Sequence, residues 1–453
     1  MASIVRSLPE HAPGFVRSRR SDLDRRARSG TSARWFRFFV GLFVLVSFFP
    51  YPAITVGSNN GLQFGQILAF AAVVGLVCRP PDRSFFALLA LLGPLYLSAF
   101  LNSCRATTVE PSVLLKEAIA TTSSLWILWP AGWLATHARF RDALTLAALA
   151  TIVHALLGLY QMHAFANEEF PLLWLYRNPS FKDMAEWAPI YARYIQRPCG
   201  LFPEPSAMAA ALGPWLVLLV GRLAGKLPGL GMSRREAWIT ALAVIGGFFL
   251  MAVSRSGSVV AVIGGALLAL LGRSGSSNRQ RGLTLLALVV ASLGVVGFVA
   301  AQVSSSLDER IESSWGLRGQ SIVAAMTGNT EPLTLVFGIG AGQSSPAIKR
   351  LMSGVAITEE QGEVAVWSLA ASYYMDNGLV GGVALAVVLG AAVRAVLNSA
   401  AVAMGLGALL AWLVAVTVTT SYLALPPVWL FLGVALSWNR VFPRSHRRGS
   451  RAV

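Results

Sequence analysis

At 453 residues, with 55% apolar side chains, 13% charged ones and a mean hydropathy of +0.61, the chain is too apolar for a soluble domain, where roughly a quarter of residues are charged. Its formal charge of +16 raises nucleic acid as a partner, but the basic residues sit in short blocks between apolar runs, which excludes a nucleic-acid face. Three cysteines, Cys78, Cys104 and Cys199, include no CxxC pair and indicate neither a zinc site nor a disulfide framework, although Cys104 and Cys199 could pair in an oxidising compartment.

Residues 1–36 are expected to form a disordered cytoplasmic tail, since the first 34 positions hold eight arginines and no apolar core of signal-peptide length. Crossing ~30 Å of hydrocarbon takes about 20 apolar residues, and about twelve such stretches follow. They run from Phe38 to Val56, Leu62 to Cys78, Phe85 to Leu101, Ala118 to Thr136, Ala143 to Gln161 and Ser206 to Leu223. The remainder are Ala237 to Val253, Gly257 to Gly272, Leu283 to Val303, Trp367 to Val393, Ala400 to Thr420 and Leu423 to Trp438. The expected fold is all-α, a polytopic membrane domain over 37–439 with long connections at about 162–205 and 304–366 and a second basic tail at 440–453.

Lys and Arg in short loops are retained in the cytoplasm. Alternate connections carry Arg79 and Arg83, Arg139 and Arg141, Arg222 with Lys226, Arg234 and Arg235, then Arg273, Arg279 and Arg281, Arg394, and the tail from Arg440 to Arg451. Both termini are therefore expected on the cytoplasmic side of an inner membrane, and both long connections on the exoplasmic side. Most of the net charge is an orientation signal.

The 162–205 connection holds Trp174, Tyr176, Trp187, Tyr191 and Tyr194, rings that suit a membrane interface and also stack on sugar faces. It closes on RPCGLFPEPS, Arg197 to Ser206, where three prolines stiffen the chain, Gly200 permits a tight turn, and Pro205 and Ser206 suit a helix start. Arg197 and Glu204 then lie beside a helix N-terminus, a place that favours anions; Glu204 either complements the helix dipole or handles substrate. Arg255, in SRSG between two spans, breaks the orientation rule and either snorkels to the interface or grips phosphate with its planar fork.

In the 304–366 connection Arg310 follows Asp308 and Glu309, whereas Arg318 has no acid within four positions and is the better ligand. FGIGAGQ, Phe337 to Gln343, lacks the lysine of a P-loop, and its Gly340 and Gly342 are expected to let backbone approach a ligand. Glu359, Glu360 and Glu363 suit a solvated surface, and no carboxylate pair in the long loops suggests a bound metal. Lys116 and Glu117 stand at the entrance to the fourth span, and His154 lies inside the fifth, where a helix-to-helix hydrogen bond competes with a functional role.

From Arg197 to Gly382 these features occur in an order that resembles the O-antigen ligase and polymerase superfamily, membrane proteins that act on polyprenyl-diphosphate-linked glycans. GLFPEPSA, Gly200 to Ala207, is especially similar to exopolysaccharide and O-antigen polymerases. The resemblance implies that Arg197, Arg255 and Arg318 face the lipid diphosphate, with Glu204 as the candidate base and Arg310, Tyr194, Trp187, Gly340 and Gly342 as substrate contacts. Metal and cofactor are expected to be absent. The implied partners are the lipid-linked glycan, the bilayer, a flippase and a chain-length regulator. Guanidinium groups aimed at the diphosphate stabilise charge that develops as the anomeric C–O bond breaks. A ligase carries a histidine that would fall near Trp367 and Ser368, where this chain has none, which counts against that branch. Transfer to a lipid or protein acceptor, and transport of a lipid-linked oligosaccharide, are the alternatives.

Overall fold

In the computed structural model the described residues are 31–56, 60–76, 81–105, 110–134, 136–178, 184–253, 258–271, 319–351, 366, 368–419 and 425–444. The first helix, α1 (Thr31–Ser47), begins inside the expected tail and stops short of Pro50, which cannot donate to a helical ladder. The chain then forms an antiparallel pair, β1 (Ala53–Val56) with β2 (Asn60–Gln63). The apolar run expected to cross as Phe38 to Val56 is thus divided, because the β-branched residues Ile54, Thr55 and Val56 extend the hydropathy but adopt a strand.

Helices α2 (Phe64–Leu76) and α3 (Arg83–Cys104) follow, the latter capped by Asp82, whose carboxylate accepts from Phe85 N–H at 3.1 Å. The expected fourth span is two helices, α4 (Pro111–Leu125) and α5 (Leu128–Trp133). Pro130 has no N–H for the carbonyl of Trp126, so the ladder breaks there. Next come α6 (His137–Phe165), α7 (Met184–Ile190), α8 (Pro205–Leu223), α9 (Arg234–Val253) and α10 (Ser258–Leu271). The remainder are α11 (319–327), α12 (Pro332–Phe337), α13 (Ser344–Leu351), α14 (Leu369–Leu397), α15 (Val402–Val414), α16 (Pro426–Leu436) and α17 (Trp438–Val441).

Among the described residues, five helices (α3, α6, α8, α9 and α14) are long and apolar enough to cross a bilayer. The protein is an all-α membrane protein. The stretch Leu283 to Val303, expected to span, lies outside the described residues, as do Arg255, Arg310, Arg318 and the acids at 359, 360 and 363.

Helix α8 is buried along its whole length and packs against α6, α9, α10, α15 and α16. Around it, α10 and α15 approach backbone to backbone. A Cβ at Gly265 would sit 2.4 Å from Gly407 O, and one at Gly407 2.3 Å from Gly265 O, so this crossing admits only glycine. At the C-terminal end of α8 the side chain of Arg222 is fully buried, bonding Thr145 Oγ1 at 3.0 Å and Glu236 at 3.3 Å, while Arg141 holds the same carboxylate at 2.9 Å. Ser233 and Glu236 cap α9 reciprocally, Ser233 N–H donating to Glu236 Oε2 at 2.8 Å and Glu236 N–H to Ser233 Oγ at 3.2 Å. Arginines expected to mark the cytoplasmic side thus gather at one end of α8, and the candidate site lies at the other.

Candidate functional site

The turn that leads into α8 is buried: Cys199 and Phe202 are both 0% exposed and Glu204 7%. A buried turn needs partners for its peptide groups, and two side chains one above the other on α6 supply them. Gln161 Oε1 accepts from Cys199 N–H and Gly200 N–H, each at 3.0 Å, and its Nε2 donates to Gly200 O at 3.1 Å. Tyr176 also donates its hydroxyl to Gly200 O. Two helical turns away, His154 Nδ1 accepts from Leu201 N–H at 3.2 Å, which leaves its Nε2–H to donate to Phe48 O at 2.9 Å. His154 therefore ties the chain just after α1, α6 and the turn together.

This fixed turn presents Arg197 at its start and Glu204 at its end. Glu204 is the N-cap residue of α8, with Pro205 in the first helical position, and its carboxylate accepts from Ser206 Oγ at 3.1 Å. Both residues lie within electrostatic reach of Tyr191. Burial, and then the negative charge of Glu204, hold its phenol well above the usual range, while Arg197 pulls the other way. Tyr191 is anchored by a bond to Pro203 O at 3.2 Å. Of the other rings, Trp187 packs against the core and Tyr194 is 66% exposed. Cys199 and Cys104 are both free, and burial pushes the Cys199 thiol up to about 12, so it is no nucleophile.

A second polar junction forms where α14 is interrupted at Gly378, which has φ 63° and ψ −159°. The 338–343 loop lies across this break, with Ile339 N–H donating to Met375 O and Gly340 N–H to Asp376 O, both at 3.1 Å. The buried carboxylate of Asp376 accepts from Gly342 N–H at 3.1 Å and Ser344 N–H at 2.8 Å, capping α13. Near the C-terminus of α3, Ser98 donates to Asp376 O at 2.6 Å and Asn102 to Gly338 O at 3.2 Å. The N–H groups of Gly340 and Gly342 are therefore used within the protein, and these residues shape the loop.

Gly378 combines a left-handed φ with no room for a side chain, because its Cβ would sit 2.5 Å from Val336 O. Gly378→Ala should sharply reduce the yield of folded protein in detergent, measured by fluorescence-detected gel filtration. A wild-type yield and melting temperature would show that the junction yields easily.

Arg197 and Glu204 both act on Tyr191, Gly340 and Gly342 meet at the Asp376 junction, and Trp187 and Tyr194 lie on the segment around Tyr191. Gln161 and Asp376 were not singled out by sequence. The signal for Asp376 was present, since an acid inside an apolar span is a functional candidate by default. Chemically, Arg197 and Glu204 offer a cation and a proton acceptor on one turn, a pairing that can serve an anionic leaving group and a hydroxyl that must lose its proton. Among the described residues no three His, Cys, Asp or Glu side chains converge as a metal site. Compared with protein-family models and with curated proteins, the chain matches none of them.

Proposed function

We propose that this protein is an inner-membrane glycosyltransferase of about twelve spans, with both termini in the cytoplasm, that polymerises polyprenyl-diphosphate-linked oligosaccharide units at the exoplasmic face. The observation that supports the reading is the buried turn at the head of α8, which begins at Arg197 and ends at Glu204, both within electrostatic reach of Tyr191. A hydroxyl of the incoming unit attacks the anomeric carbon of the growing chain and the C–O bond to the lipid diphosphate breaks. The diphosphate leaves with its charge, and the configuration inverts. Arg197 stabilises that charge and Glu204 receives the hydroxyl proton. Arg255 and Arg318 are proposed to share the diphosphate, with Arg310, Trp187 and Tyr194 contacting sugar, and neither metal nor cofactor takes part.

Purified protein supplied with a lipid-linked repeat unit should yield a ladder of products. Arg197→Ala should slow its formation about 30 to 1,000-fold, the equivalent of about 2 to 4 kcal/mol in barrier. Arg197→Lys should recover only part, since a point charge cannot hold two phosphate oxygens at once. A normal ladder from Arg197→Ala would remove this mechanism. Relocation of intact lipid-linked unit with no ladder would instead identify a transporter.

A further inference from the structure

Away from the Asp376 junction, toward the opposite end of the same two helices, α3 and α14 line a cavity of about 450 Å³. Its walls are two facing helical stripes. Arg83, Phe86, Ala87 and Ala90 follow the i, i+3, i+4, i+7 spacing on α3, and Val387, Gly390, Ala391 and Arg394 follow it on α14. Seven residues at 1.5 Å make each stripe about 10 Å long. Because the helices run antiparallel, both arginines fall at one end, and the rest of the lining is apolar.

Neither guanidinium pairs with a carboxylate among the described residues. The neighbouring acid, Asp82, is turned away toward Arg440 at 3.2 Å and toward Phe85 N–H. The volume falls within the roughly 300–1,000 Å³ of ligand pockets. A Cβ added at Gly390 would meet nothing within 4 Å, so the middle of the groove is open.

We infer that this groove binds an anionic phospholipid, its phosphate between Arg83 and Arg394 and an acyl chain along the apolar stripes. Two cations at the mouth, without a carboxylate partner among the described residues, select a negative headgroup, because arginine offers bidentate donors to phosphate. An apolar lining that runs about 10 Å along the helices selects a hydrocarbon tail over a free anion. None of its lining residues belongs to the turn from Arg197 to Ser206, so the inference does not rest on the proposed activity.

The test is native mass spectrometry of the full chain released from detergent with added phosphatidylglycerol, phosphatidylcholine or inorganic phosphate. Wild type should retain phosphatidylglycerol over phosphatidylcholine by roughly tenfold. Arg83→Gln with Arg394→Gln should abolish that preference, and Gly390→Leu, whose Cβ enters open space, should lower retention of phosphatidylglycerol while leaving the lipid-free melting temperature near wild type. Equal retention of the two lipids by wild type would overturn the inference. So would phosphatidylglycerol retention unchanged by Gly390→Leu, or displacement of the lipid by inorganic phosphate at comparable concentration. If the double arginine variant does not fold, Gly390→Leu decides alone.

Discussion

Replacing Glu236 by alanine is expected to cost about 3 kcal/mol of stability, because it leaves a buried arginine charge without its partner. The Arg222 side chain is 0% exposed and Glu236 17%, so the pair is dry on one side and touched by water on the other, which argues for the lower part of the usual range. The carboxylate also serves Arg141 at 2.9 Å and caps α9 through Ser233 N–H, and losing that cap contributes about 1 kcal/mol. If the orphaned charge dominates, Arg222→Met combined with Glu236→Ala should melt higher than Glu236→Ala alone, since the double variant removes the charge together with its partner. Thermal melts of detergent-solubilised protein decide this. A single variant as stable as wild type would mean that the pair adds nothing to the fold, and a double variant no better than the single would assign the loss to the cap.

The apolar helices were legible because hydropathy over about 20 residues is a long, redundant signal. Among the described residues the expected stretches from Leu62 onward fall mostly on helices, five of which are long and apolar enough to cross a bilayer. What hydropathy could not report was backbone conformation within a run. Ile54, Thr55 and Val56 are as apolar in β1 as in a helix, and the interruption at Trp126 depends on one missing donor at Pro130. The turn from Arg197 to Ser206 was legible from its prolines and glycine, and a helix does start at Pro205. Its burial was not, since the residue that satisfies it, Gln161, is an ordinary polar residue distant in sequence. FGIGAGQ was visible as a close-approach loop, but its partner is Asp376 in the same chain, and that pairing depends on tertiary contacts.

Gln161→Leu is the change expected to affect stability and activity together. The side chain fills a similar space but offers no oxygen to the N–H groups of Cys199 and Gly200, both held at 3.0 Å in a turn where Cys199 is 0% exposed. Each buried donor left unpaired costs about 1–3 kcal/mol, so the pair costs roughly 2–6 kcal/mol. Gly200 O fares better because Tyr176 still donates to it. The loosened turn carries Arg197 and Glu204, and a displacement of about 1 Å at a catalytic group reduces rate on the order of a hundredfold. Gln161→Glu keeps an acceptor for the two N–H groups but loses the Nε2 donor to Gly200 O and to the Tyr176 hydroxyl and puts a carboxyl in a buried place, so it should recover only part of the melting temperature. Arg197→Ala leaves the clamp intact and should reduce the product ladder while melting near wild type. Gln161→Leu should lower both readouts, and a variant that melts like wild type and still builds a normal ladder would show that the turn keeps its shape without the amide.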